Sequence, residues 1–469
     1  MKETLEINVT DYIKKSATLF TQSDSIPKNE YLQKIGFINN PKGGYTFQCN
    51  TFSRFFLEYV DVILLSNEEE LALYNQQKGV YELNASGKIA KIIKYFINLK
   101  EELWQPYYEN VSLLTIKRDV LSVAQDFNGG NYINLKDGIL DLDSYKLKKH
   151  SPRYLSTIQL PFEYNIKIEI PIFNQYLADI SCGDIEIQNV LQEMAGYCLS
   201  NSTSAEKAFF LIGGGCNGKS VFAKLLQLLS GEGNYSNTSL SAIGGNFGLA
   251  QLSSSNVNIS AENNGSKINS EIFKAIVSGD TVEVNRKYKD AISVKIHTKL
   301  VLLFNSLPES EDLTYGFFRK VFIIPFNLRI PQEKIDIDLI NKLEIELSGI
   351  FHWAIEGLKR LQKNNYKFSK CSASDFALEK YKEMLNPVAE YFDTNYTFVK
   401  GESIKRSDIY KHYYETCINN ANEVISCQKF WLMLKAHFVD KNQEFETKKV
   451  KGYDYVKNIS YKNFSERSK

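Results

Sequence analysis

No stretch of this chain approaches the roughly 20 consecutive apolar residues needed to cross a bilayer, so no membrane-spanning helix is expected. The opening Met1-Lys2-Glu3-Thr4 has no apolar leader core, and a cytoplasmic protein is expected. Cysteine is sparse. Cys49, Cys182, Cys198, Cys216, Cys371, Cys417 and Cys427 form no Cys-x-x-Cys pair, and their number is odd. That pattern argues against a disulfide framework and for reduced thiols. The five histidines do not gather beside paired cysteines, which leaves no zinc-type ligand set. Net charge is also nearly absent, at +1. No global field attracts a polyanion, so any nucleic-acid surface must be local. The balanced charge equally fits a protein that acts on protein partners.

What is present is an ordinary globular composition, 43% hydrophobic and 13% aromatic. The length predicts roughly two to four domains. Residues 1–170 mix helical and strand signals and read as an α+β domain. Phe52–Leu65 and Ile89–Glu102 have helical apolar spacing, and Tyr132–Arg153 alternates as short strands with tight turns. Residues 171–370 begin with helical spacing and then alternate short apolar runs with glycine-rich turns, the rhythm of an α/β domain with a parallel sheet. Leu347–Leu361 is helical, Gln362–Ser374 is a polar candidate linker, and residues 385–469 form a third unit.

The run Ala208–Leu226 carries the chemistry. Within it, Gly213-Gly214-Gly215-Cys216-Asn217-Gly218-Lys219-Ser220 satisfies G-x-x-x-x-G-K-S, with an apolar strand before it and an amphipathic helix after it. Glycines let consecutive backbone N–H groups converge on phosphate oxygens, and the following helix aims its positive end at the same anion. Lys219 adds a full charge near the terminal phosphates. The Ser220 hydroxyl suits Mg²⁺, which takes hard oxygen ligands. The pattern predicts a P-loop nucleoside triphosphatase that binds ATP and Mg²⁺.

Three further residues follow in an order that suits hydrolysis. Asn256–Glu262 reads as a strand ending in a carboxylate. Glu262 there can polarise water or complete the magnesium shell, or it can be a surface acid at a strand end. Lys299–Asn305 is an apolar strand ending in an amide, which can orient water or cap a turn before Pro308. Arg319 precedes the strand Val321–Phe326, and it can stabilise transition-state charge in a neighbouring subunit or sit at the surface.

Together these pieces resemble the superfamily 3 DNA helicases of the AAA+ class, in the poxvirus, phage and plasmid primase–helicase group. The resemblance spans about residues 130–460. It rests on Gly215–Ser220, on Lys274 with Ser278-Gly279-Asp280, on Arg286-Lys287-Tyr288, on Asn305 with Pro308, and on Arg319 ahead of Ile323-Ile324-Pro325-Phe326. It implies a hexameric ring that moves 3′ to 5′ on single-stranded DNA and unwinds duplex at replication initiation. Glu262 would be the acid of the second nucleotide motif, Asn305 the sensor and Arg319 the finger supplied in trans. A hairpin over Thr281–Ile296 would reach into the channel, with Arg286, Lys287, Tyr288 and Lys289 at its tip to hold phosphates and stack on a base. The chain departs from the family where Ala261 and Asn263 flank a solitary Glu262, and where Lys320 follows Arg319 in place of a second arginine. No polymerase-type metal site accompanies Asp141 and Asp143, so primase activity is not expected.

The third unit reads as a winged helix. Helices around Ser407–Cys417 and Gln428–Phe438 would precede a β-wing near Glu444–Ser460, and the segment from Lys441 onward holds eight cationic and four acidic side chains. A cationic wing suits duplex phosphate and predicts origin recognition. That would make the protein a replication initiator of a mobile element such as a phage-inducible chromosomal island. The competing expectation is a P-loop ATPase that switches or remodels protein partners.

Overall fold

The computed structural model describes residues 8–14, 26–41, 43–65, 70–120, 122–123, 127–164, 168–245, 248–261, 267–286 and 289–462. Its centre is built from short runs, chiefly apolar in Ala208–Ile212, Lys299–Phe304 and Val321–Pro325. Five become parallel strands: β1 (Ala208–Ile212), β2 (Tyr235–Ser236), β3 (Val257–Ser260), β4 (Lys299–Phe304) and β5 (Val321–Pro325). They lie in the order β2-β3-β4-β1-β5. Every residue of β4 is buried, as expected of a parallel strand covered on both faces.

One face is covered by α1 (Pro171–Ile180), α2 (Ile185–Leu199), α3 (Lys219–Ser230) and α4 (Leu347–Lys363). Asp184 caps α2 by accepting from the N–H groups of Glu186 and Ile187. Helices α2 and α4 touch closely enough that a side chain on Gly196 would meet the carbonyl of Ala354. Glu193 on α2, only 1% exposed, accepts from Arg360 on α4 at 2.7 Å. The residues expected as a linker are not free. Ser369 also bonds Glu193, Cys371 is buried, and Phe368 packs between Tyr197, Phe209 and Phe322. Their polarity is satisfied by this network, so polarity misled the linker reading.

Residues 133–162 share this core, and the expected strands are there: Tyr132–Leu135, Gly138–Asp141 and Leu147–Lys148 form one antiparallel sheet. A separate core joins Tyr12 through Ile116. Within it the helix expected over Phe52–Leu65 stops at Tyr59, and Val62–Leu65 instead pairs with Glu70–Asn75. Three β-branched residues in four, Val60, Val62 and Ile63, favour that change. The helix expected over Ile89–Glu102 is found over Ser86–Asn98, and it ends four residues short of Glu102.

The third unit has its own core. Helices Pro387–Asn395, Arg406–Asn419 and Cys427–Asp440 pack on a three-stranded antiparallel sheet, in which Tyr453–Tyr461 lies between Tyr396–Lys405 and Thr447–Val450. Among the described residues, no helix is long and apolar enough to cross a membrane.

Candidate functional site

A parallel sheet delivers the carboxyl ends of its strands to one edge, and the loops there define a crevice. Ile212 of β1 stands beside Phe304 of β4 and Pro325 of β5, so the segments that follow all three emerge together. Gly213 N–H donates to the Phe304 carbonyl at 3.2 Å, and Phe326 N–H to the Ile212 carbonyl at 2.7 Å. The loop Gly213–Gly218 then curls into α3.

Two glycines of this loop are dictated by space. A side chain on Gly213 would stand 2.1 Å from Asn217 Nδ2 and 2.5 Å from the Phe326 carbonyl. Gly218 has φ +87°, and a side chain there would strike Ile180 of α1 at 2.5 Å. Tyr176 of α1 donates its hydroxyl to the Gly218 carbonyl at 3.0 Å. The helix that precedes the sheet in sequence therefore braces the loop from outside.

Asn217, 3% exposed, joins the loop together. Its Nδ2 donates to the Phe326 carbonyl at 3.1 Å, and its Oδ1 accepts from Lys219 Nζ at 3.2 Å. Lys219 also donates to the Gly213 carbonyl at 2.6 Å. Burial pulls its ammonium below the ordinary lysine pKa. A group that prefers to shed its proton in an apolar setting gains from a nearby anion. Gly214, Gly215, Cys216 and Ser220 are exposed.

These residues open onto a cleft of about 1530 Å³, shared with Asn305, Ala261 and the segment Leu328–Pro331. Asn305, the residue after β4, lines the same cleft as the loop. Glu262 follows Ala261 in sequence but lies outside the described residues. Arg319 is not brought to this cleft. The Ala208 N–H bonds the Lys320 carbonyl, which sets Arg319 at the amino end of β1. A five-residue strand, about 16 Å long, separates it from the loop. There Arg319 is 45% exposed and meets Glu206 at 2.7 Å. Lys320 bonds the same carboxylate at 2.9 Å and Ser278 Oγ at 2.5 Å. Led by the Lys320 bond, these cations hold the Glu206 carboxyl below its usual pKa.

The expected hairpin is present: Thr281–Arg286 pairs antiparallel with Lys289–Lys295. Val284 on its first strand and Ile296 just past its second are buried. Lys287 and Tyr288 at the tip lie outside the described residues, as do the side chains of Arg286 and Lys289. Lys274, on the helix leading to the hairpin, pairs with Asp312 at 2.8 Å.

Sequence reasoning missed Tyr176 and Arg329, both of which face the cleft. Tyr176 stands on the amphipathic helix before the motif, where an aromatic at helical spacing reads as core. Arg329 follows β5 in a segment with no periodicity at all.

Comparison with known proteins bears on this geometry. Residues 55–182 match a family described as "D5 N terminal like". Residues 211–319, which contain the loop, β4 and Arg319, match a family of unknown function, DUF5906. A protein of Acanthamoeba polyphaga mimivirus, "Putative helicase L207/L206", is 25% identical over 221 residues, 43% of this chain and 22% of that protein. The chain thus spans about a fifth of the length of this curated relative. Among solved structures, the A form apo structure of the NrS-1 C-terminal region superposes with a TM-score of 0.50 at 12% identity, covering 85% of this chain and 96% of that one. The mixed α/β architecture around a five-stranded parallel sheet is therefore shared with a solved protein.

Proposed function

We propose that this chain is an ATP-dependent DNA helicase of the superfamily 3 type, with an AAA+ core, working as a homo-hexameric ring that unwinds duplex during replication initiation. The observation that carries the reading is the braced loop Gly213–Ser220 with Asn305 beside it at the carboxyl edge of the sheet. The matched viral helicase segment supports the same direction.

In this reading the loop amides and the positive end of α3 hold the β- and γ-phosphates, and Lys219 exchanges its carbonyl partner for phosphate oxygen. Asn305 orients the attacking water. Glu262, which follows Ala261 at the cleft, activates that water. Ser220 fits magnesium, because its exposed hydroxyl is a hard oxygen on the first turn of α3. An ion of this kind takes most of its ligands from nucleotide and water. Magnesium, when bound, neutralises charge on the phosphate oxygens.

Arg319 at the opposite edge suits donation to a neighbour's nucleotide, since its own cleft is out of reach. The hairpin carrying Arg286, Lys287, Tyr288 and Lys289 contacts single-stranded DNA, along which the ring moves 3′ to 5′. The third unit acts as a winged helix on duplex origin DNA, as in a mobile-element initiator.

The test is strand displacement on forked substrates of defined polarity, coupled to ATP hydrolysis. DNA should stimulate hydrolysis several-fold, and Lys219→Ala should abolish both activities. Unwinding that survives Lys219→Ala overturns the assignment.

A further inference from the structure

After β5 the chain does not leave the sheet directly. It crosses the mouth of the loop as a strap and is fastened to it twice. Asn217 Nδ2 bonds the Phe326 carbonyl at 3.1 Å, and Ile330 N–H bonds the Cys216 carbonyl at 2.8 Å. Arg329 lies between these two points. It is exposed and lines the same cleft as Lys219 and Ser220. Among the described residues its guanidinium has no hydrogen bond, ion pair or ring contact. The carboxylates that line the cleft among the described residues are engaged elsewhere: Asp336 with Lys342 at 2.6 Å, and Asp179 with Gln175 at 2.8 Å. An arginine with no counter-charge among the described residues, held one residue from a backbone bond to the loop Gly213–Gly218, has a guanidinium free to grip phosphate oxygens in pairs.

We infer that Arg329 is a second phosphate-binding cation supplied in cis, closing the strap over the phosphate chain of a nucleoside triphosphate. The inference rests on reading Gly213–Ser220 as the nucleotide site and adds to it a residue from a different strand. Lys219 reaches the phosphates from within the loop, and Arg329 reaches them from across the cleft. The strap thereby becomes part of the binding site, and the bonds at Cys216 and Asn217 keep loop and strap in register.

The experiment is equilibrium binding to the full chain, with a fluorescent ATP analogue displaced by ATP or by inorganic tripolyphosphate. Arg329→Ala should weaken both competitors by a similar factor, about tenfold to a hundredfold for one lost charge-assisted contact. Arg329→Lys should recover part of the loss, because it restores the charge without the fork. Since Arg329 is exposed and unpaired among the described residues, these variants should keep the parental melting temperature. Wild-type affinity in Arg329→Ala overturns the inference. So does a loss for ATP with none for tripolyphosphate, which would move the contact to base or ribose. Lys219→Ala is measured alongside. If it binds nucleotide normally, the loop reading itself fails. If it is impaired while Arg329→Ala is not, only the strap cation fails.

Discussion

Removing the Asn217 side chain tests whether the loop is held by one buried amide. Asn217→Ala deletes the bond from Nδ2 to the Phe326 carbonyl and the acceptor that Lys219 Nζ uses at 3.2 Å. Phe326 is itself 2% exposed, so water cannot readily replace the lost donor. A buried carbonyl left without its partner costs about 1–3 kcal/mol, which is the expected loss of stability in urea denaturation. Nucleotide binding should suffer as well, because Lys219 keeps only the Gly213 carbonyl and the loop loses one of its two ties to the strap. A weakening of about tenfold, or ~1.4 kcal/mol, is expected by calorimetric titration with ATP. Asn217→Asp separates the two effects. It keeps the acceptor toward Lys219 but sets a carboxylate among the phosphate-binding groups, so it should harm binding more than stability. An Asn217→Ala protein with the parental urea midpoint and the parental ATP affinity would refute this reasoning.

Two other expectations follow from particular contacts. Lys299, fully buried at the start of β4, donates to the carbonyls of Ser200 and His297, and burial pushes its pKa from 10.5 down to about 7. The unfolded chain then binds a proton that the native state has shed, so stability should rise between pH 7 and 10.5. Lys299→Met should flatten that rise in urea melts at pH 7 and 9, and an unchanged slope would contradict it. For Arg319, mixing Arg319→Ala with Lys219→Ala subunits should restore part of the ATPase activity that each variant lacks alone, because some interfaces regain an intact loop facing an intact arginine. Inactive mixtures, or Arg319→Ala subunits that hydrolyse ATP normally by themselves, would remove the shared site.

The loop was legible because its parts are contiguous: strand, glycines, Lys219, Ser220 and helix follow one another in the chain. Asn305 was legible for a related reason, since an apolar run that ends in an amide marks a strand's carboxyl end. Arg329 was hidden because its position depends on β5 lying beside β1, a pairing between residues more than a hundred apart. Tyr176 was hidden because its ring packs as core while only its hydroxyl reaches the loop. The helix assigned to Phe52–Leu65 overran because apolar residues at 60, 62 and 63 satisfy either period. The polar run Gln362–Ser374 looked like a linker because sequence does not show the Glu193 carboxylate that binds Ser369.

The clamp between α2 and α4 has a mechanical consequence. The chain enters the parallel sheet through one of these helices and reaches the other soon after its last strand, and Glu193 with Arg360 rivets the two together. A load applied from either flank therefore arrives at the same post. Separating the two flanks would mean breaking this ion pair, made on a buried carboxylate, beside the sheet.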